Sequence, residues 1–134
     1  MTTLREMTEF DLREILPLYA AVGWPNYTAR PEMLEKALHH SLWVLGAYDG
    51  GKLVGLLRAV GDGFSVVLLQ DILVLPEYQR QGIGRALMHA LMENYPEVYQ
   101  MELFTDDTPK TAAFYESLGF TLDSNAGCRG FMKV

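Results

Sequence analysis

Residues 79–85, Gln-Arg-Gln-Gly-Ile-Gly-Arg, set two glycines and two arginines between an apolar run and a helical pattern. A strand that turns through glycine into a helix makes an anion cradle. The first amides of a helix have no partner inside it and point outward, and the helix dipole adds positive potential there. Glycine removes the Cβ that would hold a phosphate away. Gln79, Arg80, Gln81, Gly82, Ile83, Gly84 and Arg85 can therefore wrap a pyrophosphate, with Arg80 and Arg85 adding charge. The same residues also suit a tight strand-to-helix turn that holds nothing. Leu87 stands where a dinucleotide fingerprint has its third glycine, and the Gly-Lys-Ser/Thr ending of a nucleoside triphosphate loop is missing.

The remaining reactive residues are sparse. Cys128 is the lone cysteine, so no internal disulfide forms. With Gly127 and Gly130 beside it, it reads as a small residue of a late strand. His39, His40 and His89 lack ligand spacing with a second His or Cys, and no metal is expected. Seventeen acids against eleven bases give a net charge of −6. Such a surface is a poor partner for nucleic acid but attracts a cation such as an amine.

The chain's 134 residues, 49% of them hydrophobic, fit one globular domain, 1–134, able to bury a core. No apolar run reaches the roughly 18 residues of a membrane span. The first residues, MTTLREMTEFD, carry acids where a secretion signal has an apolar stretch. The expectation is a cytoplasmic protein with no membrane partner.

The elements that must position the loop follow from periodicity. Residues 3–7 read as a first strand. Thr8 looks like a helix cap with an acid three residues on, and Leu12, Ile15, Leu16 and Tyr19 share one face. Pro17 should kink or break that helix. Residues 22–31 read as a loop and 31–39 as a second helix. Then the period shortens. Strands are expected over 42–48, 53–60 and 64–75, joined by the turns Asp49-Gly50-Gly51-Lys52 and Gly61-Asp62-Gly63. The three form an antiparallel meander. A helix follows the glycine loop to about Tyr95, burying Ile83, Leu87, Ala90 and Leu91. A strand over 98–104 returns parallel to the long one, because a helix connects them. Thr108-Pro109 opens a short helix that Gly119 closes. The last fifteen residues are expected to form one or two strands.

"VLPEYQRQGIGRALM" resembles the acetyl-CoA loop of the GNAT N-acetyltransferase family, whose pattern Gln/Arg-x-x-Gly-x-Gly/Ala is met by Gln79, Gly82 and Gly84. "AAFYESLGF", 112–120, resembles the family helix that packs under coenzyme A, and the element order agrees over the whole chain. Within the family, "VGWP", "QDILVLPEYQRQGIGRALM", "LFTDD…FYESLGF" and the late Gly130-Phe131-Met132 are similar to plant plastid-type arylalkylamine (serotonin) N-acetyltransferases and their bacterial relatives. The resemblance implies an α/β GNAT fold. Its sheet is mixed but mostly antiparallel, of six to seven strands, splayed at the acetyl-CoA site and flanked by about four helices.

It also implies roles. Backbone of Ile72, Leu73 and Val74 would meet pantetheine as a further strand does. Amides from Arg80 to Arg85 would take the pyrophosphate, and Phe114 would pack on the cofactor. Tyr115 matches the tyrosine that protonates the departing thiolate; a phenol with a pKa of about 10 can do so. Its alternative is a packed helix tyrosine. Relatives place a base two or four residues before Ile72, where this chain has Gln70 and Leu68. Asp71 is one step off, so alternation points it to the other face unless the strand bulges. It is a direct base or an orienting, structural carboxylate. Thr108 stands where the family often has Asn. Asp106 and Asp107 attract a cationic acceptor or are solvated loop acids. Trp24 and Tyr27 wall the acceptor pocket or anchor their loop.

The expected activity is acetyl transfer from acetyl-CoA to a small primary amine, such as an aromatic one. Attack is direct, in a ternary complex, since no Cys or Ser suits a covalent intermediate. The rivals are a CoA-binding regulatory module without turnover and a protein lysine or N-terminal acetyltransferase. Either a monomer or a homodimer is compatible with the sequence.

Overall fold

The computed structural model describes residues 1–134, which fall into two compact units, Met1–Leu103 and Phe104–Val134. The first is a five-stranded sheet with helices. Strands β1 (Thr2–Glu6), β2 (Trp43–Asp49), β3 (Lys52–Gly61), β4 (Val66–Val74) and β5 (Gln100–Leu103) lie in chain order. Neighbours are antiparallel up to β4, and β4–β5 is parallel. Helices α1 (Leu12–Ala21), α2 (Pro25–Thr28), α3 (Pro31–His39) and α4 (Ile83–Asn94) complete this unit.

The core sits on both faces of β3, whose residues Leu53 to Ala59 are all buried. A strand covered on two sides reads as an unbroken apolar run, as Leu-Val-Gly-Leu-Leu does here. On one face α1 and α3 bring Ile15, Leu18, Tyr19, Leu34 and Leu38; α4 brings Ile83, Leu87, Met88 and Leu91. Each Ile, Leu or Met among them contributes about 1.5–3 kcal/mol on burial. Gly55 sets how closely α4 approaches. A Cβ there would stand 3.3 Å from the Leu73 carbonyl and 3.4 Å from the Ile83 side chain.

One irregularity decides which way β4 faces. Arg58 pairs with Asp71, but the next residue, Ala59, pairs with Leu69. Gln70 is the extra residue of a β-bulge. Partners across a ladder share a face, so Leu69 lies with Ala59 and Asp71 with Arg58, on opposite sides of the sheet. Asp71 reaches Tyr19 of α1, whereas Gly55, on the other face, meets Ile83 of α4. Gln70, opposite in facing to Leu69, shares the α1 side with Asp71. The expected separation of Gln70 and Asp71 onto two faces is thus removed by the bulge.

The second unit holds α5 (Pro109–Ser117). Thr108 caps it by accepting from the Thr111 amide at 3.3 Å, with Pro109 at the first helical position. Gly119, at φ +95°, ends it in the left-handed conformation.

Several sequence expectations are corrected. The sheet has five strands, not six or seven, because the last fifteen residues form no strand. Their backbone groups close on Asp123 instead. Its carboxylate accepts from the Ser124 and Gly130 amides at 2.8 and 2.7 Å, and its carbonyl from Cys128. A single 3-10 turn, Asp123–Ala126, results, and Cys128 is exposed beyond it rather than set in a strand. Asp11, not Thr8, caps α1 by accepting from the Arg13 amide at 3.0 Å. Helix α1 runs through Pro17 without a break. The 22–31 loop contains α2, with Pro25 at its start. β4 begins two residues late because Asp62 takes the amides of Phe64, Ser65 and Val66 into its turn.

Candidate active site

The loop before α4 is built as an anion hollow. Val74 ends β4, a 3-10 turn covers Pro76–Tyr78, and Gly82 is the N-cap of α4. Arg80 at φ 64° and Gly82 at φ 82° are both left-handed. Such turns line up successive N–H groups toward one point. A Cβ on Gly82 would meet nothing within 4 Å, so glycine is needed there for conformation and not for space inside the protein. The first intrahelical bond of α4 is Ala86 to the Gly82 carbonyl, 2.9 Å, so the amides of Ile83 and Gly84 have no acceptor within the helix. Arg80 is a non-glycine in a region that costs about 1–2 kcal/mol. Strain of this kind is kept where a function uses it. Arg80, Gln81 and Arg85 are exposed, while Ile83 is buried under the loop.

Beside the loop, β4 offers an open edge. β5 pairs with β4 only from Val66 to Leu69. Beyond that point Leu75 donates to the Val54 carbonyl of β3 at 2.9 Å. By alternation Leu73 also faces β3, while Ile72 and Val74 turn their backbone groups to the side that β5 has left. The Val74 carbonyl there accepts from the Gln79 side-chain amide at 3.0 Å. Of the three strand residues expected to meet a ligand, Ile72 and Val74 point to the open edge and Leu73 does not.

On the α1 face a charged network fills the sheet. Arg58 Nε donates to Asp71 Oδ2 at 2.8 Å, with the two residues 5% and 3% exposed. Tyr19 donates to the same oxygen at 2.9 Å, and Tyr27 to Oδ1 at 3.0 Å. The guanidinium also donates to the Ser41 and Tyr27 hydroxyls, each at 3.3 Å. No buried side-chain polar atom lacks a partner. A buried ion pair is tolerable on that condition, and removing one member alone costs about 3–5 kcal/mol. Burial pushes the Tyr19 phenol far above its ordinary value, reinforced by the Asp71 charge and hydrogen bond. Burial works against the Arg58 charge, yet Asp71 outweighs it and holds the guanidinium above its usual value.

Trp24 and Tyr27 stand on this network. Tyr19 lies 5.0 Å from Tyr27 and 5.9 Å from Trp24 between ring centres, and Trp24 lies 6.2 Å from Tyr27. Trp24 and Tyr27 are half-buried, so each keeps a face toward solvent. Gln70 is exposed.

In the second unit, Tyr115 is half-buried on α5, its ring 5.0 Å from Phe114 and 6.1 Å from Phe120. Burial, and then the Asp106 charge, raise its pKa above the ordinary phenol value. Asp106 and Asp107 are exposed. The Asp106 carbonyl accepts from the Thr108 amide and the Thr111 hydroxyl, fixing the entry to α5.

The left-handed loop and the open strand edge are matched by a family description. Residues 39–122 fit the acetyltransferase (GNAT) domain. The chain belongs to the GNAT acetyltransferase family. A solved GNAT-family acetyltransferase of Streptococcus pneumoniae is 48% identical, with a TM-score of 0.92 over 100% of this chain and 98% of that one. The α/β GNAT fold follows. Two chloroplastic plant proteins are more distant: serotonin N-acetyltransferase 2 of Oryza sativa, 32% identical, and GCN5-related N-acetyltransferase 1 of Arabidopsis thaliana, 33% identical. They cover 91% and 98% of this GNAT chain, which spans 62% and 66% of their lengths. The family uses acetyl-CoA. The loop and edge fit it: outward amides and arginines suit a pyrophosphate, and the Ile72–Val74 edge suits the amides of pantetheine. No helix is long and apolar enough to cross a membrane.

Three participants escaped the sequence reading. Arg58 hides in an apolar run, and its charge is explained only by Asp71 across the ladder. Tyr19 was read as an apolar face residue, although its hydroxyl is the buried end of the network. Asp49 was read as turn chemistry, but it also accepts from the Tyr78 hydroxyl of the loop at 2.7 Å. A lone Arg in a strand opposite an Asp was the one available signal.

Proposed function

We propose that this chain transfers an acetyl group from acetyl-CoA to a small primary amine, such as an aromatic one, in the cytoplasm. The observation that carries it is the left-handed Arg80/Gly82 loop opening α4 beside the Ile72–Val74 edge that β5 leaves uncovered. The loop amides and Arg80 and Arg85 hold the pyrophosphate. Bound acetyl-CoA supplies a thioester, whose acetyl carbon bonds to the amine nitrogen as the C–S bond breaks. Tyr115 returns a proton to the sulfur, and its raised pKa keeps that proton available. Both Asp71 oxygens already accept hydrogen bonds, so Asp71 orients and does not act as base. The amine's proton leaves to water. Trp24 and Tyr27 line the acceptor side, where aromatic stacking is worth about 0.5–1.5 kcal/mol. Gln70 adds no charge to that side, and Asp106 with the net charge of −6 favours a cationic approach.

The test is thiol release from acetyl-CoA with tryptamine, spermidine and a lysine peptide as acceptors. Tryptamine is expected to give the highest kcat/KM, and Trp24→Ala to lower that value alone. A tenfold preference for spermidine or the peptide would overturn the aromatic acceptor. No thiol release with any amine, despite acetyl-CoA binding, would leave a binding module instead.

A further inference from the structure

We infer that Arg58 is a positioning residue that sets acceptor selectivity through Tyr27. The inference deepens the acetyl-transfer reading and rests on it. Arg58 touches no surface a substrate can reach, being 5% exposed. Its guanidinium nevertheless reaches three groups on the α1 side of the sheet. Nε holds Asp71 at 2.8 Å, Nη1 holds the Ser41 hydroxyl and Nη2 the Tyr27 hydroxyl, each at 3.3 Å. Ser41 passes the restraint to the end of α3 by donating to the Ala37 carbonyl at 2.7 Å.

Tyr27 is the member of this network that faces both ways. Its hydroxyl donates to Asp71 Oδ1 at 3.0 Å and accepts from Arg58, while its ring is half-buried beside Trp24. Helix α2, which carries it, has four residues and no side-chain cap. One turn of helix is marginal by itself. The orientation of the Trp24–Tyr27 wall therefore depends on the hydroxyl bonds to Asp71 and Arg58. The planar guanidinium serves three acceptors in fixed directions; a lysine ammonium carries the same charge without that geometry. Selectivity for a ring-bearing amine is thus written into β3, under the wall and not in it.

Three variants test this: Tyr27→Phe, Arg58→Lys and the double variant. Tyr27→Phe removes one half-buried hydroxyl, so it reads the wall even if Arg58→Lys folds poorly. Each single variant is expected to raise KM for tryptamine roughly fivefold, the scale of one lost hydrogen bond. KM for acetyl-CoA is expected to stay unchanged, and KM for ethylamine to change less than twofold. Because Arg58 acts through Tyr27, the double variant should be no worse than the poorer single one. An unchanged tryptamine KM in Tyr27→Phe, additive losses, or acetyl-CoA KM rising in step overturns the inference. Thiol release by the wild type tests acetyl transfer separately. If no amine is turned over, tryptamine binding measured by calorimetric titration scores the same variants, and equal affinities overturn it.

Discussion

The Tyr78 hydroxyl donates to Asp49 Oδ2 at 2.7 Å, tying the loop before α4 to the end of the β2–β3 hairpin. Asp49 is held below its usual carboxylate range chiefly by that bond, and Tyr78 is raised in return. The pair lies near solvent, so its contribution to global stability is small. Its effect falls on the loop it restrains. Tyr78→Phe is expected to weaken acetyl-CoA binding about threefold with little change in Tm. Calorimetric titration beside a melting curve checks both, and equal affinity would mean that the loop holds its shape unaided.

Gly84 occupies the first turn of α4, where a carboxylate suits the helix dipole. Gly84→Asp should therefore fold as well as the wild type, yet set a negative charge at the proposed pyrophosphate site. Binding of acetyl-CoA is expected to be lost. A variant that binds like the wild type would show that the phosphates lie elsewhere.

Tyr115→Phe is expected to keep acetyl-CoA affinity and lower kcat by about a hundredfold, the scale of losing a positioned acid. The raised pKa fixes the sign of the pH dependence. The acid works while protonated, so kcat should hold to above about pH 10 and fall beyond. A limb near neutrality would assign the titration to another group.

Alkaline pH should also weaken the fold. Burial, then Asp71, raise the Tyr19 phenol above its unfolded value of about 10. A group raised on folding stabilises fully below its unfolded pKa, and that stability is lost as pH climbs toward the folded value. Denaturant midpoints are expected to be steady to about pH 10 and then drop. Tyr19→Phe should be weaker at neutral pH, having lost a hydrogen bond, but should fall less steeply above pH 10. Parallel curves for the two proteins would place the alkaline titration elsewhere.

The loop and α4 were legible because glycine, charge and helical period coincide within one short stretch. Local rules govern such a stretch, and Thr108 and Gly119 were readable around α5 for the same reason. The facing of β4 was not. Burial alternates smoothly through Val67, Leu69, Asp71 and Leu73, although the buried side changes at Gln70. A period-two pattern carries no mark of that change, since a bulge is fixed by the partner strand. The role of Arg58 was hidden likewise, because its meaning lies across the ladder. The C-terminal strands failed for a third reason. Asp123 satisfies by side chain and turn the amides that a ladder would have used.

β4 spends one residue more than its ladder can use. With Gln70 deleted, Leu69 and Asp71 would become ordinary neighbours, and each would keep the side it has now. The surplus is therefore redundant for topology, and a chain shortened by that single residue should still build its core. It would lose the local swelling of the backbone at the place where β5 stops. Shortening by one position, unlike any side-chain exchange, thus separates what the sheet requires from what the catalyst requires.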